Sequence, residues 1–284
     1  MSIHSSTQHS LELAESSVKY WEYNPEGKHA IVMIHGFRGD HHGLEYIARS
    51  LPAYRILIPD LPGFGASSAF DTLTHDISGY TVFVRGFLAA LKLTEPPVLL
   101  GHSFGSIVAA KYAALHPKTI SKLVLINPIA APPLSGPKAA LSKLTSLYYW
   151  LGNALPARAG EALLKNKGIV LAMSAVLAKT KDKELRKRIH GNHLAYFSSF
   201  ANRKVVLESF QASIAKTVTE HSKNIITPTL LIAGDLDDIA PPTQQAELQS
   251  KLPDARLIML TGVGHLVHYE APEKAAAAIA EFIG

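Results

Sequence analysis

Ser103 stands in the run Gly101-His102-Ser103-Phe104-Gly105, a serine flanked at two residues on either side by glycine. A serine hydroxyl is a weak nucleophile until a neighbouring base takes its proton. The five residues alone say little, because a chain of this length produces G-x-S-x-G by chance roughly one time in ten at ordinary glycine usage. Their context says more. The apolar run Pro97–Leu100 leads straight in, and the helical pattern Ser106–Leu115 leads straight out. A sharp strand-to-helix turn holds its central residue in a strained conformation, and any side chain at 101 or 105 would collide with the adjoining backbone. The opening of the helix supplies free N–H groups and a positive dipole end, suited to a developing oxyanion.

A base is offered by Gly262-Val263-Gly264-His265, just after the last apolar run. His265 is one of 14 histidines, singled out by the strand end before it, the glycine beside it and the helical pattern opened by Ala271-Pro272-Glu273. An imidazole acting as base needs a carboxylate to fix its tautomer. Three acids, Asp235, Asp237 and Asp238, follow the run Pro228–Ala233. Asp237 is the favoured partner because it lies a few residues past the strand end, and Asp235 and Asp238 compete for that role or act in turns and caps. Asn127, at the end of an earlier run, is an amide and cannot be the acid. The fourth segment is His35-Gly36-Phe37-Arg38-Gly39. The backbone N–H groups of Phe37 and Phe104 are the expected oxyanion hole, since backbone donors are rigid and already aimed. His35 is expected to prop the loop by hydrogen bonding.

These segments need a scaffold that delivers them to one place. Six apolar runs read as strands: His29–His35, Tyr54–Pro59, Pro97–Leu100, Lys122–Ile126, Pro228–Ala233 and Ala255–Leu260. Several are apolar throughout, which suits strands covered on both faces. Strand and helix in alternation point to an α/β fold with a doubly wound, mostly parallel sheet. Leu11–Tyr23 alternates loosely and suits an antiparallel hairpin at one edge.

After Asn127 the alternation stops. Pro132, Pro133 and Pro137 mark the entry to helical stretches at Lys138–Ala154, Gly160–Lys179 and Lys183–Thr217. In the first, Leu141, Leu144, Tyr148 and Leu151 share one face. The expected organisation is a core of residues 1–129 and 223–284 carrying a helical cap of residues 130–222. Within that cap stretch 14 Lys and Arg face 5 Asp and Glu, and the bland explanation is a solvated outer helix face. Tyr148 and Trp150 are candidates for lining a substrate pocket in the cap.

Composition narrows the classes. The chain has 284 residues, 47% hydrophobic and 18% charged, ordinary for a globular protein. It contains no cysteine, which excludes disulfides, thiolate nucleophiles and cysteine-ligated metal. The net charge is +5 without a Lys/Arg block or nucleic-acid motif, so no nucleic-acid partner is expected. No apolar run reaches the ~20 residues of a transmembrane helix, and Met1–Ser17 lacks the pattern of a secretory signal. A cytoplasmic location is therefore the expectation. The adjacent His41 and His42 point different ways with no third ligand at a suitable spacing, so no metal is expected.

With these motifs in view, the chain resembles the α/β-hydrolase fold superfamily. The order Ser103, Asp237, His265 follows the family order of nucleophile, acid and histidine. HGF (35–37), PDLPGFGAS (59–67), GHSFG (101–105) and GVGHLVHYEAPE (262–273) are similar to family landmarks and span nearly the whole chain. The resemblance implies a serine hydrolase of the carboxylesterase or lipase kind, a helical cap after the sixth strand, a small ester-like substrate and no cofactor. A serine at position 103 speaks against the epoxide hydrolases and haloalkane dehalogenases of the superfamily, which use an aspartate there. Carbon–carbon bond hydrolases of ring-cleavage products share the layout but commonly carry Trp after the histidine, where this chain has Leu266. A non-catalytic ligand receptor on the same fold is the rival from outside the enzymes.

Overall fold

The computed structural model describes residues 6–13, 15–132 and 139–284, with the backbone alone for 139–142. Pro133, Pro137, Lys138 and the Leu141 side chain, named above, lie outside the described residues. Eight strands among those described form one sheet: β1 (Thr7–Leu13), β2 (Ser16–Tyr23), β3 (Ala30–Ile34), β4 (Arg55–Pro59), β5 (Val98–His102), β6 (Lys122–Ile126), β7 (Thr229–Gly234) and β8 (Ala255–Leu260). Their order is β1-β2-β4-β3-β5-β6-β7-β8. β1 and β2 form the antiparallel edge hairpin, and β2 meets β4 antiparallel. All later pairings are parallel.

The apolar runs are continuous because the sheet is covered twice. Val32, Ile34, Leu57 and Leu99 face a core shared with α2 (Ile77–Ala90) and α3 (Phe104–Leu115). Ile31, Met33, Ile56 and Leu100 face the opposite core, shared with α1 (His41–Arg49) and α11 (Pro272–Ile283). Each such side chain contributes roughly 1.5–3 kcal/mol on full burial, so the central strands are rigid mounts for whatever their ends carry.

Between β6 and β7 come α4 (Ala139–Ala154), α5 (Ala157–Leu164), α6 (Lys167–Leu177), α7 (Lys183–Tyr196) and α8 (Arg203–Ala215). Two expected helices are each broken in two. Gly160–Lys179 divides where the Asn166 side chain accepts from Ile169 N–H and caps α6. Lys183–Thr217 divides because the backbone of residues 199–201 is spent on another partner. Ser199 C=O accepts from Gly65 N–H, and Ala201 N–H donates to Gly63 C=O. Asn202 then caps α8. Both asparagines trade a helical position for the cap they favour. A 3-10 helix, Val218–Asn224, returns the chain to the core beside α3 and α9 (Pro242–Lys251). A short α10 (Val267–Glu270) precedes α11.

Candidate active site

β5 runs directly into α3, and Ser103 is the joint. Its φ is 51° and its ψ −117°, a conformation costly for a non-glycine residue. The turn is possible because its neighbours have no side chains. A Cβ on Gly101 would strike the Gly105 carbonyl, and one on Gly105 would strike the Ile34 carbonyl of β3. The strain lifts the Ser103 hydroxyl clear of the sheet.

Three elements then converge. His265, in the loop between β8 and α10, has Nε2 2.8 Å from Ser103 Oγ. Its Nδ1 lies 2.8 Å from Asp237 Oδ2, in the loop after β7. A carboxylate only accepts, so Nδ1 carries the proton, Nε2 is the acceptor and the serine hydroxyl donates to it. Asp237 Oδ1 accepts from the backbone N–H groups of Ile239 (2.8 Å) and Ala240 (3.0 Å). Burial pushes the Asp237 carboxyl up, but the His265 imidazole, its hydrogen bond and those two N–H groups together hold it below the usual carboxylate range.

The competing acids are placed elsewhere. Asp235 Oδ1 accepts from Gly262 N–H (2.7 Å) and Val263 N–H (3.3 Å), which shapes the loop carrying His265. Asp238 reaches Lys179 Nζ at 2.7 Å. Glu270 holds the same loop from below, its Oε2 accepting from Gly264 N–H at 2.7 Å. Its Oε1 accepts from Lys179 N–H and Thr180 N–H, between α6 and α7.

The Phe37 loop lies against the serine. A Cβ on Gly36 would stand 3.4 Å from Ser103 Cβ. Among the described residues no protein acceptor takes the N–H of Phe37 or of Phe104, the first residue of α3. His35 accepts from Leu61 N–H (2.9 Å) at Nε2 and donates from Nδ1 to Gly36 C=O (2.8 Å). Burial holds its imidazole below its ordinary pKa, so it props the loop as a neutral ring.

Several neighbours were not anticipated. Asn127, barred as the acid, donates from Nδ2 to Asp237 Oδ2 (2.9 Å) and to Gly264 C=O (3.3 Å). Arg38 is 1% exposed, with φ 56°. Its guanidinium donates to Phe197 C=O (3.0 Å) and Leu164 C=O (2.8 Å) and stacks on the Phe197 ring at 4.2 Å. No carboxylate pairs with it among the described residues; the carbonyl ends of α5 and α7 balance its charge. His102 donates from Nε2 to His265 C=O at 3.3 Å, and burial beside His265 lowers it to about 3. The residue types were visible in the sequence, but nothing in the spacing told which side each would face.

Two expectations change. Tyr148 lines the cavity described below, but Trp150, proposed beside it, is 58% exposed and lines none of it. The buried neighbour Tyr149 takes the inward position, since adjacent helical residues point about 100° apart. The pair His41 and His42 does have a third group near. Asp40 stands with them, all three offering ligand atoms within 4.8 Å of one another. The two rings lie 3.8 Å apart rather than diverging. Their Nδ1 atoms already serve carboxylates, His41 on Asp60 (2.9 Å) and His42 on Asp40 (3.1 Å).

Above Ser103 a cavity of about 700 Å³ lies between the sheet's end and the inserted helices. Its lining combines apolar side chains, among them Leu144, Ile169, Met173 and Ile214 with Tyr148, and polar ones, among them Asp40, His102, Asn192, His193, His268 and Tyr269. The volume is typical of a small-molecule site.

A mostly parallel sheet with a serine on its strand-to-helix turn, and His and Asp on later loops in that order, defines an α/β-hydrolase-fold enzyme. Residues 29–272 match the family model described as alpha/beta hydrolase fold, and the chain belongs to that family. Lipase 1 of Psychrobacter immobilis is 27% identical over 275 residues, covering 94% of this chain and 81% of the relative. Lipase 3 of Moraxella sp. is 26% identical over 250 residues, covering 87% and 74%. Among solved structures, the esterase EaEST of Exiguobacterium antarcticum superposes with a TM-score of 0.79 at 18% identity, covering 98% of this chain and 99% of the esterase. No helix among the described residues is long and apolar enough to cross a membrane.

Proposed function

We propose that the chain hydrolyses carboxylic esters or thioesters through an acyl-enzyme on Ser103, with residues 130–222 acting as a cap that shapes the acyl site. The observation that carries this reading is the continuous hydrogen-bond line from Ser103 Oγ through His265 to Asp237, 2.8 Å at each step. The lipase names of the relatives agree with it, as does the apolar part of the cavity.

The steps follow from the geometry. Ser103 Oγ attacks the carbonyl carbon as His265 Nε2 takes its proton, and the carbonyl oxygen becomes an anion between the N–H groups of Phe37 and Phe104. Asp237 stays ionised and stabilises the imidazolium. The tetrahedral adduct collapses, the carbon–oxygen or carbon–sulfur bond breaks, and His265 returns the proton to the leaving group. Water then enters, gives a proton to His265 and attacks the acyl carbon, and collapse regenerates Ser103 and releases the acid. These steps use protein groups and water. A preformed donor in such a hole is worth roughly 10²–10³ in turnover.

A fluorophosphonate probe and a series of p-nitrophenyl esters of rising acyl length test the reading. The expected result is one adduct on Ser103, ester turnover, and loss of both in Ser103→Ala. Folded protein that takes no label and cleaves no activated ester overturns it.

A further inference from the structure

The cavity has an end that the acyl chain does not need. Six imidazoles in the described residues are buried: His35, His41, His75, His102, His265 and His268. The first five each have a protein hydrogen-bond partner. His268 has none among the described residues, and its Nδ1 is fully enclosed without a partner. A ring 6% exposed and unbonded is rare, because buried polar groups otherwise find partners. This one lines the cavity.

Its surroundings point to a ligand. The His268 ring lies 4.1 Å from that of His102, which lies 5.6 Å from that of His265. The row therefore leads away from the imidazole that returns a proton to the leaving group. Gly43, on α1, leaves the space open. The point where its Cβ would stand is 3.9 Å from His268 Nε2 and 3.7 Å from Tyr269 Oη. Tyr269 Oη likewise has no protein partner among the described residues.

We propose that this end of the cavity binds a hydroxyl-bearing leaving alcohol, such as a polyol, through His268 and Tyr269. The proposal rests on the ester-hydrolase reading and names the substrate class for it. Burial keeps the His268 imidazole well below its usual pKa and raises the Tyr269 phenol, so both groups are neutral at pH 7. Nε2, the ring nitrogen facing the space beside Gly43, bonds a hydroxyl as acceptor or donor according to the tautomer, and the phenol donates, which matches a hydroxyl and offers nothing to a fixed charge. Asp40 at the same end accepts from hydroxyls and repels an anionic headgroup. The apolar lining residues, Leu144, Ile169 and Met173 among them, are left for the acyl chain.

Glyceryl 1-octanoate and propyl octanoate share acyl chain and three-carbon alcohol and differ only in two hydroxyls. In the wild-type protein kcat/KM should favour the glyceryl ester by ~10-fold or more, because a site built to bond a hydroxyl rejects the analogue lacking it. His268→Leu should bring the ratio close to one. Tyr269→Phe, which removes a single oxygen, should lower it several-fold and serves if the first variant does not fold. The ratio within each variant is the readout, so a general loss of rate does not imitate the effect. A wild-type ratio near one, or a ratio unchanged in the folded variants, overturns the subsite while Ser103 labelling and ester turnover persist. No label and no turnover of any ester sinks the hydrolase reading, and this subsite with it.

Discussion

Asn127 Nδ2 donates to Asp237 Oδ2 over 2.9 Å, on the same oxygen that accepts from His265. The amide fills the remaining acceptor direction of a buried carboxylate and adds no charge. Asn127→Asp keeps the shape and replaces that donor with a second carboxylate. The added negative charge beside the imidazole favours imidazolium. The acid limb of the kcat/KM–pH profile should therefore move to higher pH, with turnover at pH 7 down roughly tenfold. A profile superimposable on that of the wild type would contradict this account.

Asp237→Asn should lower kcat by about 10⁴-fold, since an amide in that position favours the wrong imidazole tautomer. Asp238→Asn, altering an acid partnered with Lys179, should change it by no more than a few-fold. Steady-state rates on one activated ester separate the two, and equal losses would remove Asp237 from its assigned role.

Arg38 fastens the Phe37 loop to the carbonyl ends of α5 and α7. Arg38→Met leaves the Phe197 carbonyl without its donor and the Leu164 carbonyl with Tyr148 Oη alone (3.2 Å), which should cost roughly 1–3 kcal/mol in urea unfolding. Arg38→Lys should recover only part of that, because an ammonium does not span acceptors as a planar guanidinium does. Unchanged stability in both variants would show that the clamp contributes nothing.

Acid should weaken the fold before it titrates the Asp237 carboxyl. Burial lowers His102 to about 3 and His193 to about 4. Unfolded, both take up protons near pH 6.5. Below that pH the unfolded state binds more protons than the folded one, so stability falls as pH drops from about 6.5 toward 4. The slope is about 1.4 kcal/mol per pH unit for each imidazole. Thermal melts from pH 7.5 to 4.5 read this directly, and a melting temperature flat over that window would count against it.

The parts legible in the sequence are those set by local rules. Strands buried on both faces must be apolar throughout, so β3 to β7 stood out. A turn as tight as that at Ser103 demands glycine at 101 and 105, so its place was legible too. The acid was readable as a loop position, and the structure brings Asp237, not Asp235 or Asp238, to His265. What stayed hidden depends on neighbours distant in sequence. The break before α8 exists because residues 199–201 bond the backbone of Gly63 and Gly65. Trp150 and Tyr149 exchange inner and outer places according to the helix's contact with the core. The roles of Asn127, Arg38 and His268 rest on partners, or missing partners, that no spacing announces.

Glu270 grips the loop carrying His265 with one oxygen and the stretch joining α6 to α7 with the other. Together with Arg38 it anchors the roof of the cavity at two corners, one beside His265 and one beside the Phe37 loop. A displacement of either corner therefore pulls on the loops that carry His265 and Phe37. The bonds that hold the roof down also hold those loops in place, so mutations that loosen the roof should register as faulty catalysis.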